Sequence, residues 1–437
     1  MLDKKFLIIL VILAVFSFGL ASPAISSPTL LNQSWSPTIQ AMLDQVDHNQ
    51  VHILTGNLSG EWPVLIDGLP YTIATRHALS GESIQKVTQY LYEYYQAIGI
   101  DTTYHDFSFA GKQLNNVIAQ KTGTVFPERI YMITSHLDDV PITPPAPGAD
   151  DNASGTVGVM LAAKILSQYE FGCTLRFINF NAEEYGMIGS EDYAHQAYCA
   201  GEDIRGVINL DMIAWNTPQS PPDMDLHALN TIPGSVEMSG IFKDTVTTYG
   251  LSGITPMDAD PIVSRSDHAS FWKYDIPAIL VSEDIADFNP NYHSADDILD
   301  SLQDMDYFTD MIKASLGTLA QMGCLVENGW GTIRGQVIDG NTSLPVPNAS
   351  VELHNPEWDY TFNTRTDHNG EYQISALQGS HNLRVDGIGY ASLESSSLSI
   401  LQDQTLTQNI ELVPLDEQVL YLPLAANVGN LPPAGCP

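Results

Sequence analysis

The chain has 437 residues, and its 17 Lys and Arg against 52 Asp and Glu give a formal charge of −35, which argues against nucleic acid and anionic membrane surfaces as partners. Most of that charge is surface solubility, although it permits a cationic substrate such as a free amino terminus. A hydrophobic content of 44% with 9% aromatic residues supports packed cores rather than disorder, and the length allows two domains.

Residues 1–21 carry Lys4 and Lys5, then an apolar run from Phe6 to Val15 that extends to Phe18, then small residues before Ser22. This is the order of a secretory signal peptide, and the run is short for an uncleaved anchor. No other segment is long and apolar enough to cross a bilayer, so no stable membrane insertion is expected after cleavage. The mature protein is expected to be secreted. Residues 22–37, rich in Ser, Pro and Thr, read as a linker or pro-segment. A helical pattern begins at Thr38, and residues 57–73 are rich in turn formers.

Residues 80–98 predict an amphipathic helix: Ser80 or Ser83 can cap it, Ile84, Val87, Leu91 and Tyr95 share a face, and Gly99 ends it. Strands are expected over 101–109 and 116–120. Further on, the apolar runs 130–134, 174–180, 206–210 and 276–282 alternate with helix-length segments at 154–169, 191–198 and 235–249, and a last helix spans 307–322. Strands rich in Val, Ile and Phe between helices indicate an α/β sheet, and the catalytic unit is assigned to 38–328. From 331 to 413 short alternating runs separated by Asp-Gly and Pro turns suit a small all-β sandwich, and 414–437 is a tail. Four cysteines in an exported chain are best read as two disulfides. The favoured pairing is Cys173 with Cys199 and Cys324 with Cys436.

Five polar clusters punctuate the α/β half: TSHLDD (134–139), GADDNASG (148–155), NAEEYG (181–186), NLDM (209–212) and NPNYHSADD (289–297). The first, third and fourth sit at the carboxyl ends of predicted strands, where open α/β sheets place their ligands. Two imidazoles and at least three carboxylates on one rim form a donor set for borderline metals, with oxygen enough for two Zn2+ ions. Asp151 is assigned as the bridge between them. His136 with Asp211 then completes one site and His293 with Glu184 the other. Glu183 is left free to act as general base on a metal-bridging water and as acid toward the leaving amine. Asp138 and Asp297 are expected to orient the two imidazoles. Taken singly, each cluster is more often a cap or solvated charge; their combination argues for metal.

These motifs resemble those of the bacterial leucyl aminopeptidase family of co-catalytic zinc exopeptidases, over about residues 75–319. The resemblance implies that His136, Asp151, Glu184, Asp211 and His293 bind zinc and that Glu183 is the base. It also implies a mixed central sheet flanked by helices, and release of amino-terminal residues from peptides. The stretch Arg265 to Phe271 is similar to a family segment near the substrate pocket, so Arg265 is a candidate for a substrate carbonyl or carboxylate and Tyr292 for the oxyanion. The region 331–413 resembles the transthyretin-like, carboxypeptidase-regulatory modules appended to secreted peptidases.

Peptides with a free amino terminus are the expected partners, their amine met by the edges of Glu183 and Asp211. A carboxypeptidase or dipeptidase would need a basic pocket, which the scarcity of Arg and Lys near the motifs disfavours. A glutaminyl cyclase, the single-zinc variant of this fold, would not need His136. A non-catalytic ectodomain is disfavoured by the intact set of ligands and base.

Overall fold

The computed structural model describes residues 35–140, 145–217, 220–326, 329–356, 360–415 and Cys436. The expected signal peptide, most of the linker and nearly all of the tail lie outside these residues.

Eight strands form one mixed sheet whose order is 101–109, 112–121, 173–180, 126–136, 203–210, 278–283, 223–228 and 255–258. The four strands Cys173–Phe180, Phe126–His136, Asp203–Leu210 and Ala278–Glu283 are mutually parallel, so their carboxyl ends share one edge. The outer pairings 101–109 with 112–121, 112–121 with 173–180, and 278–283 with 223–228 are antiparallel. Because strand side chains alternate faces, Ile133, Leu175, Phe177 and Ile208 enter one core while Met132, Ile178 and Val207 enter the other. The larger core is covered by helices Glu82–Ala97, Gly155–Leu166, Pro233–Tyr249 and Met305–Met322, and the smaller by Ile188–Ala200 and His268–Trp272.

Helix Gly155–Leu166 is buried on every side except at Lys164, as expected of a helix that is apolar all round. It lies between the central strand Phe126–His136 and helix Met305–Met322, which makes it the rigid base under the loop that precedes it. The hairpin Val64–Ile66 with Leu69–Tyr71 occupies the stretch in which turn formers obscured regular structure, and helix His48–Leu58, not anticipated from sequence, precedes it. None of the helices in the described residues is long and apolar enough to cross a membrane.

The second unit is a β-sandwich. One sheet combines Trp330–Asp339 with Glu371–Leu377, Thr405–Thr407 and Ile410–Leu412. The other has the order 360–365, 350–355, 379–386, 393–400, and the last of these strands was not anticipated from sequence. Ile333, Val337, Val351, Leu353, Leu383 and Val385 fill the space between them. The sandwich packs on the amino-terminal edge of the large sheet, where Phe126 meets Tyr360 with ring centroids 3.9 Å apart and Arg129 lies over both rings.

The disulfides correct the sequence expectation: Cys173 joins Cys324, and Cys199 joins Cys436. After helix Met305–Met322 the chain runs back beside the start of strand Cys173–Phe180. There the Gly172 N–H donates to the Cys324 carbonyl at 2.7 Å, and the Cys173 N–H to the Gly323 carbonyl at 3.3 Å. Cys324 is therefore held against Cys173, whereas Cys199 sits in the last turn of a helix that covers the smaller core.

Candidate active site

Parallel register sets the site. His136 ends its strand level with Phe180, and Thr134 is level with Asn209, so Glu183, Glu184 and Asp211 follow their strands into the space beside His136. Asp151 arrives on the irregular turn Ala149–Ser154 that leads into helix Gly155–Leu166. His293 comes from the loop beyond strand Ala278–Glu283. Ala182, Met212 and His293 all take positive φ, at 61°, 56° and 56°, so the loops turn in conformations that non-glycine residues seldom adopt and that cluster at functional sites.

The five assigned ligands converge. His136 Nε2 lies 3.4 Å from Asp151 Oδ1 and 3.3 Å from Asp211 Oδ1. His293 Nε2 lies 3.1 Å from Asp151 Oδ2 and 3.0 Å from Glu184 Oε2. Asp151 thus turns one oxygen to each imidazole. Within each of the groups His136, Asp151, Asp211 and Asp151, Glu184, His293 the donor atoms lie within 4.8 Å of one another, close enough for one ion each.

The electrostatics fit that reading. Burial favours a neutral His136, yet Asp211 and Asp151 outweigh it and push its pKa well above the ordinary value. Burial also disfavours charge on His293, but Asp151 and Glu184 raise it to about 10. Asp151 would be raised by burial; its bonds to both imidazoles instead hold it below the usual carboxylate range. The carboxylates draw positive charge into the centre of the cluster, which a pair of divalent cations would supply.

Glu183 stands outside both groups and is 9% exposed. Burial raises its pKa well above the ordinary value; His136 opposes this, and the charges of Asp267, Asp211 and Glu184 add to it. Its N–H and that of Glu184 donate to the two oxygens of Asp138, at 3.1 and 3.3 Å. Asp138 faces His136 as well: its carbonyl oxygen is 3.1 Å and its Oδ1 3.7 Å from Nδ1. Asp297 does something other than orient His293. It accepts from the N–H groups of Asp150 and Asp151 at 3.0–3.2 Å, which fixes the turn that presents Asp151.

Tyr292 stacks on the His293 ring with centroids 3.6 Å apart, meets Phe288 edge-on, and is 42% exposed at the mouth of the site. Arg265 is exposed and has no acidic partner among the described residues.

Sequence reasoning missed three buried carboxylates here. Asp150 accepts from the Ala214 N–H at 2.9 Å and the Asn289 side chain at 3.0 Å, while Glu283 accepts from the Asn289 N–H at 2.8 Å. This pair joins the Asp151 turn to the start of the His293 loop. Burial, with Asp150 beside it, pushes Glu283 well above the ordinary range. Asp267 is fully buried, and burial raises it to about 7. The doubled Asp150-Asp151 was the one available signal: one carboxylate faces the imidazoles and its neighbour faces the protein.

Residues 116–315 match peptidase family M28, and residues 332–413 match the carboxypeptidase regulatory-like domain. Among known proteins the chain is similar to a probable leucine aminopeptidase of Trichophyton verrucosum, at 31% identity over 48% of this chain and 57% of that one. A probable leucine aminopeptidase of Arthroderma otae matches at 31% identity over 45% and 54%. The chain therefore spans little more than half the length of these relatives. In fold it is similar to the LapA aminopeptidase of Legionella pneumophila, with TM-score 0.55, 18% identity, and coverage of 66% of this chain and 75% of that one. The glutaminyl cyclase of Fimbriiglobus ruber has the same fold, at TM-score 0.52 and 17% identity over 63% and 96%.

Proposed function

We propose that this chain, built from a peptidase family M28 domain followed by a carboxypeptidase regulatory-like domain, is a secreted two-zinc aminopeptidase that releases the first residue of peptides with a free α-amine. The observation that supports it most is the sharing of Asp151 between two three-donor groups, each completed by one imidazole and one further carboxylate. His136, Asp151 and Asp211 would hold one ion, and Asp151, Glu184 and His293 the other. When bound, such ions acidify a water and polarise the scissile carbonyl.

The chain's own groups do the rest. Glu183, buried beside the cluster and outside both ligand groups, takes the proton of the attacking water and passes it to the leaving amine. Burial and Asp267 help raise its pKa, but so do Asp211 and Glu184, whose charge divalent cations would neutralise, so loading the cluster would shift Glu183 back toward the ionised form. The edges of Glu183 and Asp211 meet the substrate ammonium. Tyr292 lends its hydroxyl to the oxyanion and Arg265 meets a substrate carbonyl or carboxylate. Secretion is supported by the leader-like residues 1–21 and by the two disulfides.

Leucine p-nitroanilide and its amino-terminally acetylated analogue, each assayed with and without a chelator, test the proposal. Only the free amine should be cleaved, chelation should abolish the reaction, and zinc should restore it. Equal cleavage of the blocked substrate would make the enzyme something other than an aminopeptidase. Cyclisation of amino-terminal glutamine without peptide cleavage would point to the cyclase chemistry of the same fold.

A further inference from the structure

We infer that Arg76 is a positioning residue for the proposed metal pair: it sets the separation of His136 and Asp151 by clamping both ends of the loop that joins them. The inference rests on the two-metal reading above.

Arg76 is 0% exposed and among the largest fully buried side chains. A guanidinium in that position needs its donors satisfied, and where they go is informative. Nε donates to the Leu137 carbonyl at 3.0 Å, one residue after His136. Nη2 donates to the Gly148 carbonyl at 2.8 Å, three residues before Asp151. Nη1 reaches the Pro147 carbonyl at 2.7 Å and the Leu58 carbonyl, at the end of helix His48–Leu58, at 2.8 Å. The Arg76 N–H donates to both oxygens of Asp139, at 3.2 and 3.1 Å, and Nη1 lies 3.7 Å from Asp139 Oδ2. One planar fork therefore holds the residue after the first ligand and the residues leading to the shared one.

Neighbouring backbone strengthens the clamp. The Ala146 N–H donates to the Ala74 carbonyl at 3.3 Å, and Thr75 bridges Ala146. The Gly148 carbonyl also accepts from the Ala153 N–H at 3.0 Å, so the oxygen held by Arg76 belongs to the turn that wraps Asp151. Gly148 has φ +47°, and a Cβ there would meet the Asp151 carbonyl oxygen at 2.3 Å and Arg76 Nη2 at 2.7 Å. No side chain fits between the clamp and the turn it fixes.

Lysine would keep the charge but not the fork: three donors on one nitrogen cannot reach carbonyls spread over three segments. The test compares full-length wild type, Arg76→Lys and Asp139→Asn, with folding checked by near-UV circular dichroism well below the melting temperature. Zinc affinity is read by chelator competition, and ligand geometry by the visible spectrum of the cobalt-substituted protein. Arg76→Lys should fold, bind zinc about 10- to 100-fold more weakly and shift the cobalt bands. Asp139→Asn should move both readouts in the same direction by less. A variant with a lowered melting temperature but unchanged zinc affinity and cobalt bands would overturn the inference and leave Arg76 a structural residue. If Arg76→Lys fails to fold, Asp139→Asn decides by the same two readouts. Wild-type protein that binds no zinc would remove the two-metal reading itself, an outcome distinct from failure of the clamp alone.

Discussion

Glu183 and Glu184 are adjacent, and both N–H groups are held by Asp138, yet their carboxyl groups part company. Glu184 turns to His293 at 3.0 Å, while Glu183 stays among His136, Asp211 and Asp267. Glu183→Gln is therefore expected to keep two zinc ions per chain and to lower kcat by about 10²- to 10⁴-fold, as removal of a general base does. Zinc analysis beside the kinetics checks this, and loss of an ion would mean that the two glutamates have exchanged roles. His136→Ala should leave one ion per chain instead of two. Residue chemistry was legible because the ligands come as doublets and turns with unusual polar density. Asp267 and Glu283 were not, because one acid after a serine or at the end of an apolar strand looks the same whether it faces solvent or the protein interior.

Elements followed the same logic. Runs such as 174–180 and 206–210 were readable as strands because parallel strands buried on both faces are continuously apolar. Strands Asp223–Ala228 and Thr255–Asp258 were not, since they lie toward the sheet edge and carry charged or exposed residues. The segment between them and helix His268–Trp272 is pinned by two buried imidazoles. His227 Nδ1 accepts from the Val263 N–H at 3.2 Å, and His268 Nε2 is 3.0 Å from the Val263 carbonyl. Burial lowers His227 from 6.5 to about 4 and His268 to about 3. Both are neutral when folded and take up protons more readily when unfolded. Their contribution is thus intact above pH 6.5 and falls as pH drops toward the folded values, by at most about 1.4 kcal/mol per pH unit for each. Denaturant midpoints at pH 7.5 and 5.5 should show the loss, and His227→Gln should make it shallower; an equal slope in that variant would assign the acid sensitivity elsewhere.

At the scale of the molecule, the β-sandwich and the candidate metal site occupy opposite edges of one sheet. Phe126, under Tyr360, starts the strand that His136 ends, which separates them by roughly 30 Å at about 3.3 Å per residue. Phe126→Ala should cost about 3–5 kcal/mol of stability while leaving KM and kcat for a small substrate unchanged at 25 °C. A changed KM would mean that the appended domain communicates with the site. The boundary near Gly329 was visible in sequence as a switch from apolar runs to short alternating ones; how the two units pack was not, because it depends on a few rings meeting across them. The disulfides have a consequence of their own. Cys173–Cys324 and Cys199–Cys436 enclose overlapping spans of 151 and 237 residues, so a single peptide-bond break anywhere from 173 to 436 leaves the fragments covalently joined. Protein nicked by trypsin within 173–436, at Lys243 or Arg334 for example, should therefore run on a non-reducing denaturing gel as one species until a reductant is added, and that part of an enzyme exposed to foreign proteases would survive its first wound in one piece.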